Sequence, residues 1–195
     1  MKPGRPSVAD ERREQILDAV VRCILQYGVA GTTRARIAEE AGMKPPAVHH
    51  FGGTRTQVVQ AGIESATKTV RRRLDRLVHG QATAEGRLEA ALAAFFGGGR
   101  VDAELNQLID ELVAYAYLDE PTRDAVQRMY GGFLEELGGL IRDVHPAAKD
   151  EALADAALAV LALGHAASTF AGLGIEPEAR ARMRSSAERS IRSLS

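Results

Sequence analysis

The sequence predicts an all-α fold of about nine helices. Apolar residues recur at helical spacing, and no segment alternates with period two for long. Aromatic residues make up only 5% of the 195 residues and tryptophan is absent, whereas alanine and arginine are abundant. The clusters that interrupt the apolar pattern are glycine- and proline-rich, which separates helices rather than strands. At this length the chain forms one large or two small domains and buries a substantial core.

Met1–Ala9, with Lys2, Pro3, Gly4, Arg5 and Pro6, reads as a basic arm. A first helix is expected from about Asp10 to Tyr27, with Ile16, Val20, Ile24 and Tyr27 on one face. Gly28 and Gly31 break it, and Thr32 or Thr33 caps the second helix. That helix carries Ile37, Ala38 and Ala41 on one face and ends at Gly42, a residue free to take the left-handed conformation of a helix end. Pro45 and Pro46 suit the first turn of a third helix reaching His50 or Phe51, because a missing N–H costs nothing there. After Gly52-Gly53, Thr54 caps a long fourth helix to about His79, which at ~1.5 Å per residue spans roughly 39 Å. Its Arg71-Arg72-Arg73 and Arg76 form a basic band. Further helices are expected over Thr83–Phe96, Asp102–Leu118, Thr122–Val144, Lys149–Leu173 and Glu178–Leu194.

The second and third helices with their tight turn have the layout of a helix-turn-helix, whose second helix enters the DNA major groove. Charge supports that reading. The net charge is −1, yet residues 1–80 hold 14 basic and 8 acidic side chains, whereas residues 81–195 hold 11 and 18. A basic N-terminal part on an acidic remainder fits a DNA-binding head on a body that avoids DNA.

The pattern Thr32-Thr33, Ile37-Ala38-Glu39, Ala41-Gly42-Met43, Val48, then Arg55 and Val58 resembles the N-terminal domain of the tetracycline-repressor (TetR) family. The resemblance covers about residues 10–60 and is architectural beyond them. It implies a helix-turn-helix DNA-binding domain over residues 1–55 and a helical ligand-binding and dimerisation domain over residues 56–195. It also implies a homodimeric, usually repressing, cytoplasmic regulator of a near-palindromic operator on double-stranded DNA, with a small-molecule effector that lowers DNA affinity. The chain departs from the family pattern at several positions. Lys44 stands where a small capping serine is usual, Pro46 where glycine is frequent, His49 where an aromatic is favoured, and Gly52 where an aromatic follows the recognition helix.

Candidate DNA contacts follow from chemistry at these positions. Thr33 and Arg34 begin the second helix and suit phosphates. Lys44 can donate to guanine, while Pro45, Pro46 and Ala47 can press on thymine methyls. His49 and His50 add donors. Arg55 resembles the family's phosphate-gripping lysine, and Arg5 is placed to enter the minor groove.

In the body, the candidate effector residues are Phe95, Phe96, Asn106, Asp110, Tyr115, Tyr130, Phe133, His165, Thr169 and Phe170, aromatics with a few polar groups among them. Core packing explains each aromatic equally well. Gly131-Gly132 and Gly138-Gly139 are read as points of close helix approach or spared cavity volume. The helix from Lys149 to Leu173 is apolar nearly all round, so one side is expected against the core and another against a second chain. Leu153, Val160, Leu161, Ala167, Met183, Ala187, Ile191 and Leu194 are the candidate dimer contacts, in a four-helix interface. The alternative is a monomer whose last helix covers the preceding one.

Other classes find little support. No nucleophile elbow, phosphate loop or carboxylate–metal motif occurs, so neither an enzyme nor a cofactor is expected. Adjacent His49 and His50 point about 100° apart on a helix and do not chelate a metal together. The lone Cys23 excludes an intramolecular disulfide and sits at helical spacing among apolar residues, as an inert thiol does. Met1–Glu14 is too polar for a secretory signal, and the run Ala156–Gly174 is alanine-built, carries His165, Ser168 and Thr169 and lacks basic flanks, so no membrane span is expected. An architectural DNA-binding protein without effector remains the alternative to a ligand-responsive regulator.

Overall fold

A computed structural model describes residues 7–97, 100–176 and 178–194. Among these residues there are nine helices and no strand: α1 (Val8–Gly31), α2 (Arg34–Glu40), α3 (Pro45–Gly52), α4 (Arg55–His79), α5 (Ala84–Phe96), α6 (Arg100–Ala116), α7 (Glu120–Val144), α8 (Asp150–Gly172) and α9 (Ala179–Arg192). They pack as two compact units. The first takes residues up to Lys68 together with Gln107–Val126, and the second takes Thr69–Asn106 and the residues from Gln127 onward.

In the first unit, α1 starts at a capping box. The Ser7 hydroxyl accepts from Asp10 N–H while the Asp10 carboxylate accepts from Ser7. This box extends the helix two residues ahead of the expected start. Ile16, Ala19, Val20, Cys23 and Ile24 are buried along one face. Gly28 interrupts the helix at φ 69° and ψ 169°, and one further turn follows to Gly31. Burial pushes the Cys23 thiol up, with the Glu40 carboxylate adding to the effect, so the reactive thiolate is disfavoured.

The Thr33 hydroxyl caps α2 by accepting from Arg36 N–H at 3.3 Å, and Gly42 closes the turn at φ 62°. α2 packs on α1 and α3, burying Ile37 and Ala38, and Val48 of α3 completes this small core. Thr54 and Gln57 form a second reciprocal cap at the start of α4. Gly62 lets α4 approach α1 closely, for a Cβ there would lie 2.3 Å from Val20 Cγ1. Asp119 accepts from Thr122 N–H and from Gln60 of α4, which begins α7 two residues before its expected start.

In the second unit α5, α8 and α9 pack together. The Thr83 hydroxyl caps α5. Gly164 of α8 lies against Phe95, where a Cβ would stand 3.3 Å from the backbone oxygen. α8 is long and apolar enough to cross a membrane by length and composition. Its Leu153, Ala156, Ala157, Val160, Leu161, Gly164 and Ala167 are buried in the unit, so packing uses that apolar surface.

The residues of the expected dimer stripe differ in how much surface they keep in a single chain. Leu153, Val160, Leu161, Ala167, Ala187 and Ile191 are buried within a single chain, because α8 and α9 pack on each other and on α5. Side chains buried to this degree keep little surface to bury against a second chain. Met183 and Leu194 are half-buried, and the outward face of α8 carries Ala154, Leu158 and Ala162, with Leu158 54% exposed.

Candidate nucleic-acid interface

The first three helices place α3 on the surface. Val48 is fully buried and anchors it, while Lys44, Pro45, Pro46, His49 and His50 are exposed and Ala47 is half-buried. Pro45 occupies the first turn with Lys44 as the preceding cap residue, so the side chains that open the helix stand free. Arg13 of α1 donates to Phe51 O, and Gln15 of α1 donates to Ala41 O at 2.9 Å. Arg22 pairs with Glu40 at 2.6 Å and also donates to its carbonyl. These contacts tie the turn and the end of α3 to α1, a bracing set that residue spacing alone does not reveal.

Thr33 and Arg34 are exposed at the start of α2. Arg34 Nη1 lies 3.5 Å from His49 Nδ1, which in turn lies 3.1 Å from Gly53 O. His50 packs edge-on against Phe51. Arg55 differs from the other candidates because its guanidinium is turned inward. Nε donates to Thr32 O at 2.9 Å, and Nη2 donates to Val29 O at 2.9 Å and Ala30 O at 3.2 Å. Arg5 lies outside the described residues.

The candidate effector residues divide. Asp110 and Tyr115 belong to the first unit and the others to the second. Within the second unit Phe95, Phe133, Tyr130 and His165 form a continuous edge-to-face series, with centroid distances of 5.8 Å, 6.4 Å and 6.2 Å. Tyr130 Oη lies 3.4 Å from His165 Nδ1, and the Thr169 hydroxyl donates to His165 O. Phe96 and Phe133 are buried in the core, whereas Asn106, Tyr130, His165, Thr169 and Phe170 keep partial exposure.

A groove of about 550 Å³ lies elsewhere in this unit, lined by Val78, His79, Gln81, Arg87, Glu135, Glu136, Gly139, Leu140 and Asp143. None of the expected effector residues lines it. Both carboxylate oxygens of Glu136 are shielded from solvent and no donor reaches them. Burial raises the Glu136 carboxyl above the usual carboxylate range, and the neighbouring Asp75 carboxylate raises it further. Of the four α7 glycines, Gly132 lies against Arg71, while a Cβ at Gly131, Gly138 or Gly139 meets nothing within 4 Å.

The three braced helices, with α3 opened by proline on the surface, have the arrangement of a helix-turn-helix. Residues 16–61 match the family described as bacterial regulatory proteins, tetR family. It is 30% identical over 93 residues to the HTH-type transcriptional regulator BetI of Brucella canis, covering 48% of this chain and 47% of that protein. The chain thus spans about half the length of the curated relatives it matches. Its fold is similar to that of a TetR-family transcriptional regulator from Cytophaga hutchinsonii, with a TM-score of 0.83 at 16% identity over 98% of both chains. It is also similar to a Saccharomonospora viridis protein assigned as a transcriptional regulator and solved in complex with choline. There the TM-score is 0.72 at 18% identity, over 93% of this chain and 96% of that one.

Proposed function

We propose that the protein is a ligand-responsive transcriptional repressor that binds a near-palindromic operator as a homodimer and acts in the cytoplasm. The observation that carries this reading is the exposed face of α3, where Lys44, Pro45, Pro46, His49 and His50 lie on the surface of a helix anchored by buried Val48. Lys44 donates to guanine edges, and the two prolines with Ala47 meet thymine methyls. Thr33 and Arg34 hold the backbone phosphates that set register. The matched tetR family and the similarity to BetI support a regulator.

The effector is a small apolar or amphipathic molecule held in the second unit, beside the aromatic series that ends at Tyr130 and His165. The complex of the Saccharomonospora viridis protein with choline supports a small-molecule effector. Ligand and DNA oppose each other by reciprocal coupling: each binds best to a different arrangement of the paired heads. Two chains meet through the outward face of α8, with Leu158 as the apolar centre.

Binding to duplex DNA taken from beside its own gene, compared with scrambled duplex across a salt series, tests the reading. Saturable, sequence-selective binding that weakens with salt is expected. Equal weak binding to both duplexes overturns it.

A further inference from the structure

The end of α1 presents an electrostatic problem that its own sequence does not solve. A helix C-terminus leaves carbonyls without partners and carries the negative end of the helix dipole. α1 has no basic residue in its last turn, and Gly28 has already broken the regular bonding. Val29 O accepts from Thr32 N–H at 3.2 Å, and the carbonyls of Ala30, Gly31 and Thr32 take side-chain donors from elsewhere. Two other helices supply them. Arg55, the first residue of α4, reaches Val29, Ala30 and Thr32. Arg36 of α2 donates to Gly31 O at 2.6 Å while its guanidinium lies 4.2 Å above the Tyr27 ring. Thr32 is fully buried at this junction and its hydroxyl donates to Gly28 O at 2.8 Å.

We infer that Arg55 and Arg36 are positioning residues that clamp the terminal turn of α1, and that Arg55 is not a phosphate ligand. Only a planar fork spans three carbonyls; a lysine ammonium is a point donor. The clamp joins the first residue of α4 and the first turn of α2 to one turn of α1, so it sets the angle at which the helix-turn-helix is presented. A phosphate taking Nε or Nη2 would have to pull them off these carbonyls. The effect on operator binding rests on the DNA-binding reading above. The clamp itself does not.

The test therefore has a DNA-free arm and a DNA arm. Without DNA, Arg55→Lys is expected to speed amide exchange severalfold around Val29–Thr32 and to lower the melting temperature by several degrees. With operator, Arg55→Lys and Arg55→Met are expected to keep the wild-type slope of log affinity against log salt. Their ratio of operator to scrambled-duplex affinity is expected to fall severalfold. Thr83→Ala, a helix-cap loss in the other unit, is the control that lowers stability and leaves this ratio unchanged. A phosphate ligand behaves differently: its loss in Arg55→Met makes the slope shallower by about 0.9 per head, and lysine restores it. That result, or a DNA-free Arg55→Lys protein indistinguishable from wild type, overturns the inference. If the wild-type chain binds no DNA at all, the repressor reading fails, while the DNA-free arm still decides the clamp.

Discussion

Single glycines show how differently one residue type acts at different places in this chain. Gly62 lies where α4 crosses α1, and a methyl group there overlaps the Val20 side chain, which is β-branched and stiff about χ1 in a helix. Gly62→Ala is expected to destabilise the protein by about 1–3 kcal/mol, the usual cost of overpacking, measured as a shift in denaturant midpoint. Gly131 and Gly138 lie in α7 with open space where a Cβ would stand. Alanine there adds only helix propensity, so Gly138→Ala is expected to raise stability by up to about 1 kcal/mol in the same measurement. Gly132 is intermediate, because an added Cβ meets the mobile end of the Arg71 side chain at 2.8 Å. The adjacent pairs look identical in sequence. Only the neighbour across the helix separates them.

At the scale of elements, the sequence was legible wherever a local signal decides. The Thr33 cap, the Gly42 turn, the paired prolines of α3 and the Thr54 cap all stand where residue type placed them. Helix starts fixed by caps not singled out in the sequence were less legible, as with α1 and α7, which are capped by Ser7 and Asp119. Least legible were residues whose role depends on a partner distant in sequence. Arg55 matches a phosphate-gripping position by spacing, but its guanidinium is spent on carbonyls more than twenty residues away. The inner and outer stripes of α8 are both apolar, so periodicity could not say which one the core would claim.

The α1 cap makes a further prediction at this scale. The Ser7 hydroxyl and amide hold the Asp10 carboxyl below the usual carboxylate range, with the Arg13 guanidinium assisting. A carboxyl depressed on folding stabilises above its unfolded value and loses that contribution as pH falls through the folded one. Helical signal from the start of α1 is expected to drop on acidification below about pH 4, and Ser7→Ala is expected to remove that step. Hydrogen exchange resolved along α1 measures it.

For the molecule as a whole, Glu136 and Leu158 mark opposite departures from a satisfied fold, one a buried charge and one an exposed hydrophobe. The Glu136 carboxyl is raised on folding, by burial first and Asp75 second. A raised carboxyl favours the folded state when protonated, so its contribution is present below the unfolded value and is lost as pH rises through the folded one. Glu136→Gln is expected to raise the melting temperature at pH 7–8 and to match wild type near pH 4. Equal melting curves at both pH values would show that the carboxyl is not a strained charge.

Leu158 is half-exposed on a helix whose Leu153, Val160 and Leu161 are buried, and small residues stand one turn away on either side, Ala154 and Ala162. A two-fold interface is self-complementary, so one charged residue at its centre is introduced twice and faces its own copy. Leu158→Glu is therefore expected to convert a dimer to a monomer in sedimentation velocity. It faces solvent in a single chain, so the melting behaviour of that chain should change little. Operator affinity should fall steeply, because one head alone holds half of a near-palindromic site. A dimer that survives Leu158→Glu would place the interface on another face. A monomer that keeps full operator affinity would separate DNA binding from dimerisation in this chain.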